Sequence, residues 1–165
     1  MKTTNKTVYL LTYGAAIAAI YAALTLIFAP ISFGPVQFRI SEALCILPFF
    51  TPAAVPGVAM GCLLANIFCG AMVPDVIFGT LATFIGAAGS YAVRKHKWLV
   101  CIPPILSNSL IIPFVLRYAY GAEDMIFYMM ITVGIGEVLA IGVLGNGLML
   151  APERYKSLIC KTAGY

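Results

Sequence analysis

Apolar positions in this chain do not alternate with polar ones; they form long unbroken runs separated by short polar breaks. The first run, about Thr7 to Ala29, carries no charge and stops at Pro30 and the Ser32-Phe33-Gly34-Pro35 stretch. The second, about Phe38 to Phe50, closes at Thr51-Pro52. The third and fourth cover about Ala53 to Met72 and Pro74 to Val93, and the basic run Arg94-Lys95-His96-Lys97 follows. The fifth, about Trp98 to Leu116, is divided by the polar break Arg117 to Asp124 from the sixth, about Met125 to Leu150. Runs near ~20 residues match the hydrocarbon thickness of a bilayer, where a single segment satisfies its backbone only as a helix. The pattern predicts an all-α integral membrane protein with six transmembrane helices. The second run, at ~13 residues, falls below the ~17–25 that a span needs. It also contains Arg39 and Glu42. It is expected either as a short helix covered by its neighbours or as a re-entrant piece.

Composition narrows the class. The chain is 62% hydrophobic and 10% charged over 165 residues, which suits one membrane domain spanning 1–165. A soluble chain this apolar could not cover its surface with polar groups. Cytosolic enzymes, nucleic-acid-binding modules and disordered chains are thereby excluded. The opening apolar run exceeds the ~7–15 residues of a signal-peptide core, so it is expected as a retained helix. Five cysteines (Cys45, Cys62, Cys69, Cys101, Cys160), an odd count without a C-x-x-C pair, are expected as small packing residues rather than a disulfide or metal site.

Charge then orients the spans. With six spans and the N-terminus inside, Lys2, Lys6, Arg94, Lys95, Lys97, Arg154, Lys156 and Lys161 are cytoplasmic, and Arg39 and Arg117 face outside. Five spans with the N-terminus outside give a weaker bias. The positive-inside rule favours both termini in the cytoplasm. Trp98 and Tyr155 would mark the inner interface, and Tyr118, Tyr120 and Tyr128 the outer one.

That topology gathers the intramembrane polar groups toward the outer half. Ionisable groups in a bilayer are costly and are functional candidates by default. Gln37, Arg39 and Glu42 stand near the outer end of the second run and Asp75 near that of the fourth, while Asn66 and Asn108 are ~5 and ~9 residues from the outer ends of theirs. Glu137 lies ~18 Å into the sixth. Asn146, Ser90 and Thr83 are the inner exceptions. The pattern describes a polar pocket open to the outside. Each residue also has a structural alternative. Arg39 and Glu42, at i, i+3, can pair on one helix face. Asp75 after Pro74 can cap the fourth helix. Asn66 and Asn108 can link helices by hydrogen bonds. Glu137 has no basic residue at i±3 or i±4, so it needs a partner, a proton or a cationic ligand.

Ala15, Ala19 and Ala23 recur every four residues on one face of the first helix, a spacing that admits close approach by another helix. That helix is either one of the chain's own or a separate protein's. Gly136, Ala140, Gly142, Gly145 and Gly147 give the sixth run a similar content of small residues. No phosphate-binding loop, hydrolase motif or metal-ligand cluster occurs, so neither catalysis nor a cofactor is expected.

Particular strings add a resemblance. Phe33-Gly34-Pro35-Val36-Gln37-Phe38-Arg39-Ile40-Ser41-Glu42-Ala43-Leu44 and Leu47-Pro48-Phe49-Phe50-Thr51-Pro52-Ala53-Ala54-Val55-Pro56-Gly57 resemble the QueT family of queuosine-precursor transporters. Gly61-Cys62-Leu63-Leu64-Ala65-Asn66 and Asp75-Val76-Ile77-Phe78-Gly79-Thr80-Leu81-Ala82-Thr83 extend the similarity, and the Gly136-Glu137 region fits it. The resemblance implies a substrate-binding S component of an energy-coupling factor (ECF) transporter in the plasma membrane. Such a component would work with a transmembrane T component and two cytoplasmic ATPases and would topple in the bilayer. By the same resemblance Ala15, Ala19 and Ala23 would dock on the T component, and the loop from about Ile31 to Gln37 would gate the site. The substrate would be queuine or a 7-deazaguanine precursor. A carboxylate suits that base's paired donors, Asn or Arg its carbonyl, and an aromatic ring (Phe33, Phe38, Phe78 or Tyr128) its plane. An aminomethyl cation on one such precursor would want a second carboxylate. The residues alone leave other vitamins, a self-sufficient proton-coupled transporter and a membrane scaffold open.

Overall fold

The charge-free opening run folds as one long helix, α1 (Lys2–Ile27), and a short turn of helix, α2 (Ala29–Ser32), follows it. The computed structural model describes residues 2–32 and 38–150. The expected gate and Gln37 fall largely or wholly outside those residues, as does the basic tail. Four further helices follow: α3 (Ala54–Phe68), α4 (Val73–Ala92), α5 (Ile102–Tyr118) and α6 (Ile126–Glu137). A π-helical stretch, Val138–Gly145, carries α6 onward into α7 (Asn146–Leu150). Among the described residues all regular structure is helical. Four segments are long and apolar enough to cross a membrane: Lys6–Ile27, Val73–Ala92, Lys97–Tyr118 and Ile126–Met149.

The second run departs from an α-helix. Ile40–Phe49 is a 3-10 helix of 10 residues, where such runs rarely exceed ~3–4. At ~2.0 Å per residue rather than ~1.5 Å it reaches ~20 Å instead of ~15 Å. The tighter winding lengthens a segment too short to span. Its neighbours supply what its own hydrogen bonding lacks: it packs against α1, α3, α4, the π-helical stretch and α7. Ser41 through Ile46 are all buried. Of the two expectations for this run, the covered short helix is the one realised. The remaining helices form an arc in which α1 lies on α3, α3 on α4, α4 on α5 and α5 on α6.

The α1–α3 contact depends on two glycines. A Cβ at Gly61 would stand 2.6 Å from Tyr21 Cβ, and one at Gly57 2.9 Å from the Gly14 carbonyl oxygen. This closeness defines the inward face of α1 as Gly14, Ile17, Ala18, Tyr21, Ala22 and Thr25. Ala15, Ala19 and Ala23 are exposed. Among the described residues the tightest α1–α3 contact uses the neighbouring face. Ala15 and Ala19 border an apolar groove of about 410 Å³ between α1 and α3, with Pro56, Gly57 and Met60 opposite. The small residues of the sixth run mostly turn inward: Gly136, Ala140 and Gly145 are buried, and a Cβ at Gly145 would lie 3.3 Å from the Ala43 carbonyl oxygen.

The α3–α4 connection places the first site residues. Gly70 takes a left-handed φ of 70°. Its N–H bonds the Ile67 carbonyl at 3.1 Å, and the Ala71 N–H bonds that of Asn66 at 2.9 Å. This paired closure ends α3 in a tight turn that a glycine accommodates without steric cost. Pro74 then opens α4, and the turn sets Asn66 against Asp75.

Candidate functional site

Buried polar side chains from the 3-10 helix and five α-helices form a connected interior. Arg39, Glu42, Asn66, Asp75, Asn108 and Glu137 are each 5% exposed or less. All six were candidates from sequence, and folding removes every one from solvent. Two linked groups account for most of their contacts.

The first centres on Glu42. Tyr21 donates its hydroxyl proton to Glu42 Oε1, and Cys45 donates its thiol proton to Oε2 at 2.9 Å. Thr83 Oγ1 stands 3.4 Å from Glu42 Oε1 and 3.4 Å from Cys62 Sγ. Beneath them Thr25 and Ser41 share a hydrogen bond of 2.7 Å, fixing the start of the 3-10 helix to α1. Arg39 reaches elsewhere: its Nη2 lies 3.8 Å from Asp75 Oδ2. Its Nη1 is 3.9 Å from Cys62 Sγ. The expected i, i+3 partner, Glu42, is thus engaged from α1 and α4, while the ion pair shown for Arg39 crosses to α4.

Asp75 does not cap α4. The N-cap is Met72, without a side-chain cap bond, and Asp75 occupies the first turn. A carboxylate there still benefits from the helix dipole, but its oxygens turn inward to Arg39 and to Tyr120. Tyr120, expected at the outer interface, donates its hydroxyl to Asp75 Oδ2 at 2.9 Å and accepts the Met72 N–H at 3.2 Å. The loop carrying it is shaped by Gly121 with a φ of 67° and by Arg117, which donates to the Ala122 carbonyl at 2.8 Å. Arg117, exposed, therefore ties the loop together. Partial burial raises the Tyr120 phenol above its ordinary value near 10.0. Gly79 leaves room at this junction: a Cβ there would meet Asp75 Oδ1 at 2.9 Å and Asn66 Nδ2 at 3.2 Å.

The second group joins α5 to α6. Asn108 donates its amide to Glu137 Oε1 at 3.0 Å. The interhelical-link expectation for Asn108 is met, and Glu137 has a partner, though an uncharged one. Glu137 ends regular α6, where the π-helical stretch begins. Wide helical turns of this kind recur at functional positions. The π-helical stretch that follows Glu137 packs against the 3-10 helix carrying Glu42, so the two groups lie in adjoining parts of the interior. Among the described residues, Asn66 Oδ1, Asp75 Oδ1, Asn108 Oδ1 and Glu137 Oε2 are buried without a hydrogen-bond partner. All four are acceptors. The same cluster holds the Arg39 guanidinium, which faces Asp75 and Cys62, so the interior presents both donors and acceptors.

Other expectations fall outside this interior. Phe38 is half-buried and packs against the apolar core. Phe78 and Tyr128 are 48% and 58% exposed, so neither offers its ring to the buried cluster. Cys45 and Cys62 pack in the core as free, buried cysteines, and their sulfurs also join the polar network. Thr83, placed in the inner half by topology, joins Glu42 because the 3-10 helix descends toward it. Sequence reasoning missed Tyr21, Thr25, Ser41, Gly79 and the inward role of Tyr120. The available signal was chemical: a hydroxyl in the middle of an apolar helix requires a partner.

The chain matches the family model described as QueT transporter over residues 11–154. It is 40% identical over 73 residues to the "Queuosine precursor transporter QueT" of Lactococcus lactis subsp. cremoris (strain MG1363). That match covers 43% of this chain and 43% of the relative's length. No solved structure matches significantly. With nearly the whole described length inside the family match, this chain belongs to the QueT transporter family.

Proposed function

We propose that this protein is the membrane-embedded, high-affinity substrate-binding S component of an ECF-type importer for queuine or another 7-deazaguanine queuosine precursor. One domain, residues 1–165, crosses the plasma membrane six times with both termini cytoplasmic, and uptake requires a T component and two ATPases. The protein binds and delivers; it catalyses no reaction. The observation that carries this reading is the buried assembly of Arg39, Glu42, Asn66, Asp75, Asn108 and Glu137, with four acceptor atoms left open. A deazaguanine offers matching donors: its ring N–H and exocyclic amine lie side by side and suit a carboxylate. Gln37, which lies outside the described residues, and Phe38, which packs against the apolar core, would add substrate contacts. That the substrate is a queuosine precursor is carried over from the name of the Lactococcus lactis relative.

The exposed row Ala15, Ala19 and Ala23 supports a partner role, because no helix of the described chain covers it. A flat face of small residues lets another helix approach closely without locking side chains together.

Titration of the purified chain with 7-deazaguanine bases tests the binding role. Saturable binding by the chain alone, with uptake into proteoliposomes only when a T component and ATPases are present, is the expected result. Uptake by the chain alone under a pH gradient would overturn the S-component reading and make Glu137 the proton carrier of a secondary transporter.

A further inference from the structure

The turn between α4 and α5 concentrates positive charge without a counter-charge. Arg94, Lys95, His96 and Lys97 are consecutive, and the first three are exposed. No Asp or Glu occurs between Val76 and Ala122. Among the described residues no carboxylate stands within ion-pair distance of this turn. The packing behind it fixes its shape. Val100 is buried with Ile46 and Met149, Ser90 donates its hydroxyl to the Val100 carbonyl at 2.7 Å, and a Cβ at Gly89 would stand 2.6 Å from Pro103 Cβ. Arg94 is itself held: its guanidinium lies 3.9 Å over the centre of the Tyr91 ring, and Nη1 donates to the Tyr91 carbonyl at 3.2 Å. A guanidinium positioned in advance loses less freedom on taking a second partner, and its planar fork suits phosphate oxygens. The 20 residues of α4, ~30 Å at ~1.5 Å each, separate this turn from Asp75 and the buried cluster.

Apolar surface adjoins the charge. Trp98 is 69% exposed, and Leu99 beside it is exposed as well. Along α5, Ile102, Leu106 and Leu110 recur every four residues and are all exposed, a stripe of roughly 12 Å leading away from the turn. A tryptophan beside basic residues at the end of a span is the arrangement that a membrane interface favours. Charge at the turn and an open apolar stripe beyond it match an amphiphile with an anionic head. A free anion would leave the stripe unused, and an uncharged lipid would leave the cations unmatched. We propose that the Arg94–Leu99 turn is a binding site for an anionic phospholipid. Its phosphodiester sits on Arg94 with Lys95 and Lys97 alongside, and an acyl chain follows Leu106 and Leu110. This site goes beyond the binding role above and does not depend on which substrate the interior takes.

Trp98 is the chain's one tryptophan, so indole fluorescence reports on lipid at this turn alone. The full chain is reconstituted in phosphatidylcholine vesicles with rising fractions of bromine-labelled phosphatidylglycerol, which quenches a neighbouring indole, and in a parallel series with labelled phosphatidylcholine. Phosphatidylglycerol should be favoured at Trp98 by at least about fivefold, the attraction of one basic side chain to an anionic surface. Arg94→Gln, Lys95→Gln and Lys97→Gln together should bring the ratio close to one. Arg117→Gln, at the other end of α5, should leave it unchanged. The wild-type comparison stands whether or not the triple variant folds. Equal quenching by the two lipids in wild type, a preference that survives the triple substitution, or its loss in Arg117→Gln overturns the proposal. Displacement of the labelled phosphatidylglycerol by inorganic phosphate at equal concentration also overturns it, and would make the turn a site for a free anion.

Discussion

Replacing Gly61 by Ala should separate α1 from α3 and loosen the site together with the fold. The added Cβ would stand 2.6 Å from Tyr21 Cβ and 2.9 Å from the Ala18 carbonyl oxygen. Carbon atoms in good contact are ~3.5–4.0 Å apart, so the helices must part by roughly 1 Å, and such a gap forfeits a quarter to a half of each contact's attraction. The atoms in the way are backbone and the root of a fully buried side chain, so rotamer adjustment offers no escape. Overpacking of this kind costs about 1–3 kcal/mol. For a chain of this size that corresponds to roughly 2–12 °C in apparent melting temperature. Tyr21 also donates to Glu42, so its displacement should weaken ligand binding beyond the loss of stability. The assay is thermal unfolding in detergent, with Gly142→Ala as the control: a Cβ there meets nothing nearer than 3.6 Å, from Val138 in its own helix. Melting of Gly61→Ala within a degree of that control would refute the close approach of α1 to α3.

Three further changes probe separate parts of the molecule. Ala19→Trp should leave melting and ligand binding unchanged, because Ala19 is exposed, and should abolish uptake in cells; loss of binding instead would mean the face is internal. Tyr120→Phe removes the donor to Asp75 and should weaken binding about 2- to 13-fold, from ~0.5–1.5 kcal/mol for one hydrogen bond, read by equilibrium titration. The Tyr120 phenol titrates above its ordinary value near 10.0. Its folded form therefore favours the proton: the stabilisation is complete below that value and is lost as pH rises through the higher folded value. Melting should then fall on the alkaline side in wild type and less so in Tyr120→Phe. Thr83→Val keeps shape but removes a hydroxyl 3.4 Å from Glu42, and should change binding less than Tyr21→Phe, which removes the closer donor; a reversed order in titrations would displace Tyr21 from the centre of the network.

Much of the site was legible because buried charge in a membrane is conspicuous. Arg39, Glu42, Asp75 and Glu137 stand out from an apolar chain by composition alone, and Asn66 and Asn108 by their depth in their runs. Their partners were not legible. Spacing offered Glu42 to Arg39 at i+3, but Tyr21 from α1 and Cys45 one turn on take the carboxylate. Phe78 lies in a motif string yet faces outward, since the rotation of α4 is set by Gly79 and Asp75 packing inward. Tyr120 could not be placed, because the loop geometry that returns it to Asp75 arises from hydrogen bonds made after folding.

The sequence by itself determined the class, the run boundaries and the polar residues that must be sheltered, because transfer into a bilayer acts on each segment almost independently. Tertiary structure alone decided that the second run winds as a 3-10 helix, which face of α1 turns inward, and which donor meets which carboxylate. Those outcomes depend on angstrom-scale approaches between helices distant in sequence, such as Gly61 against Tyr21, and no local pattern encodes them.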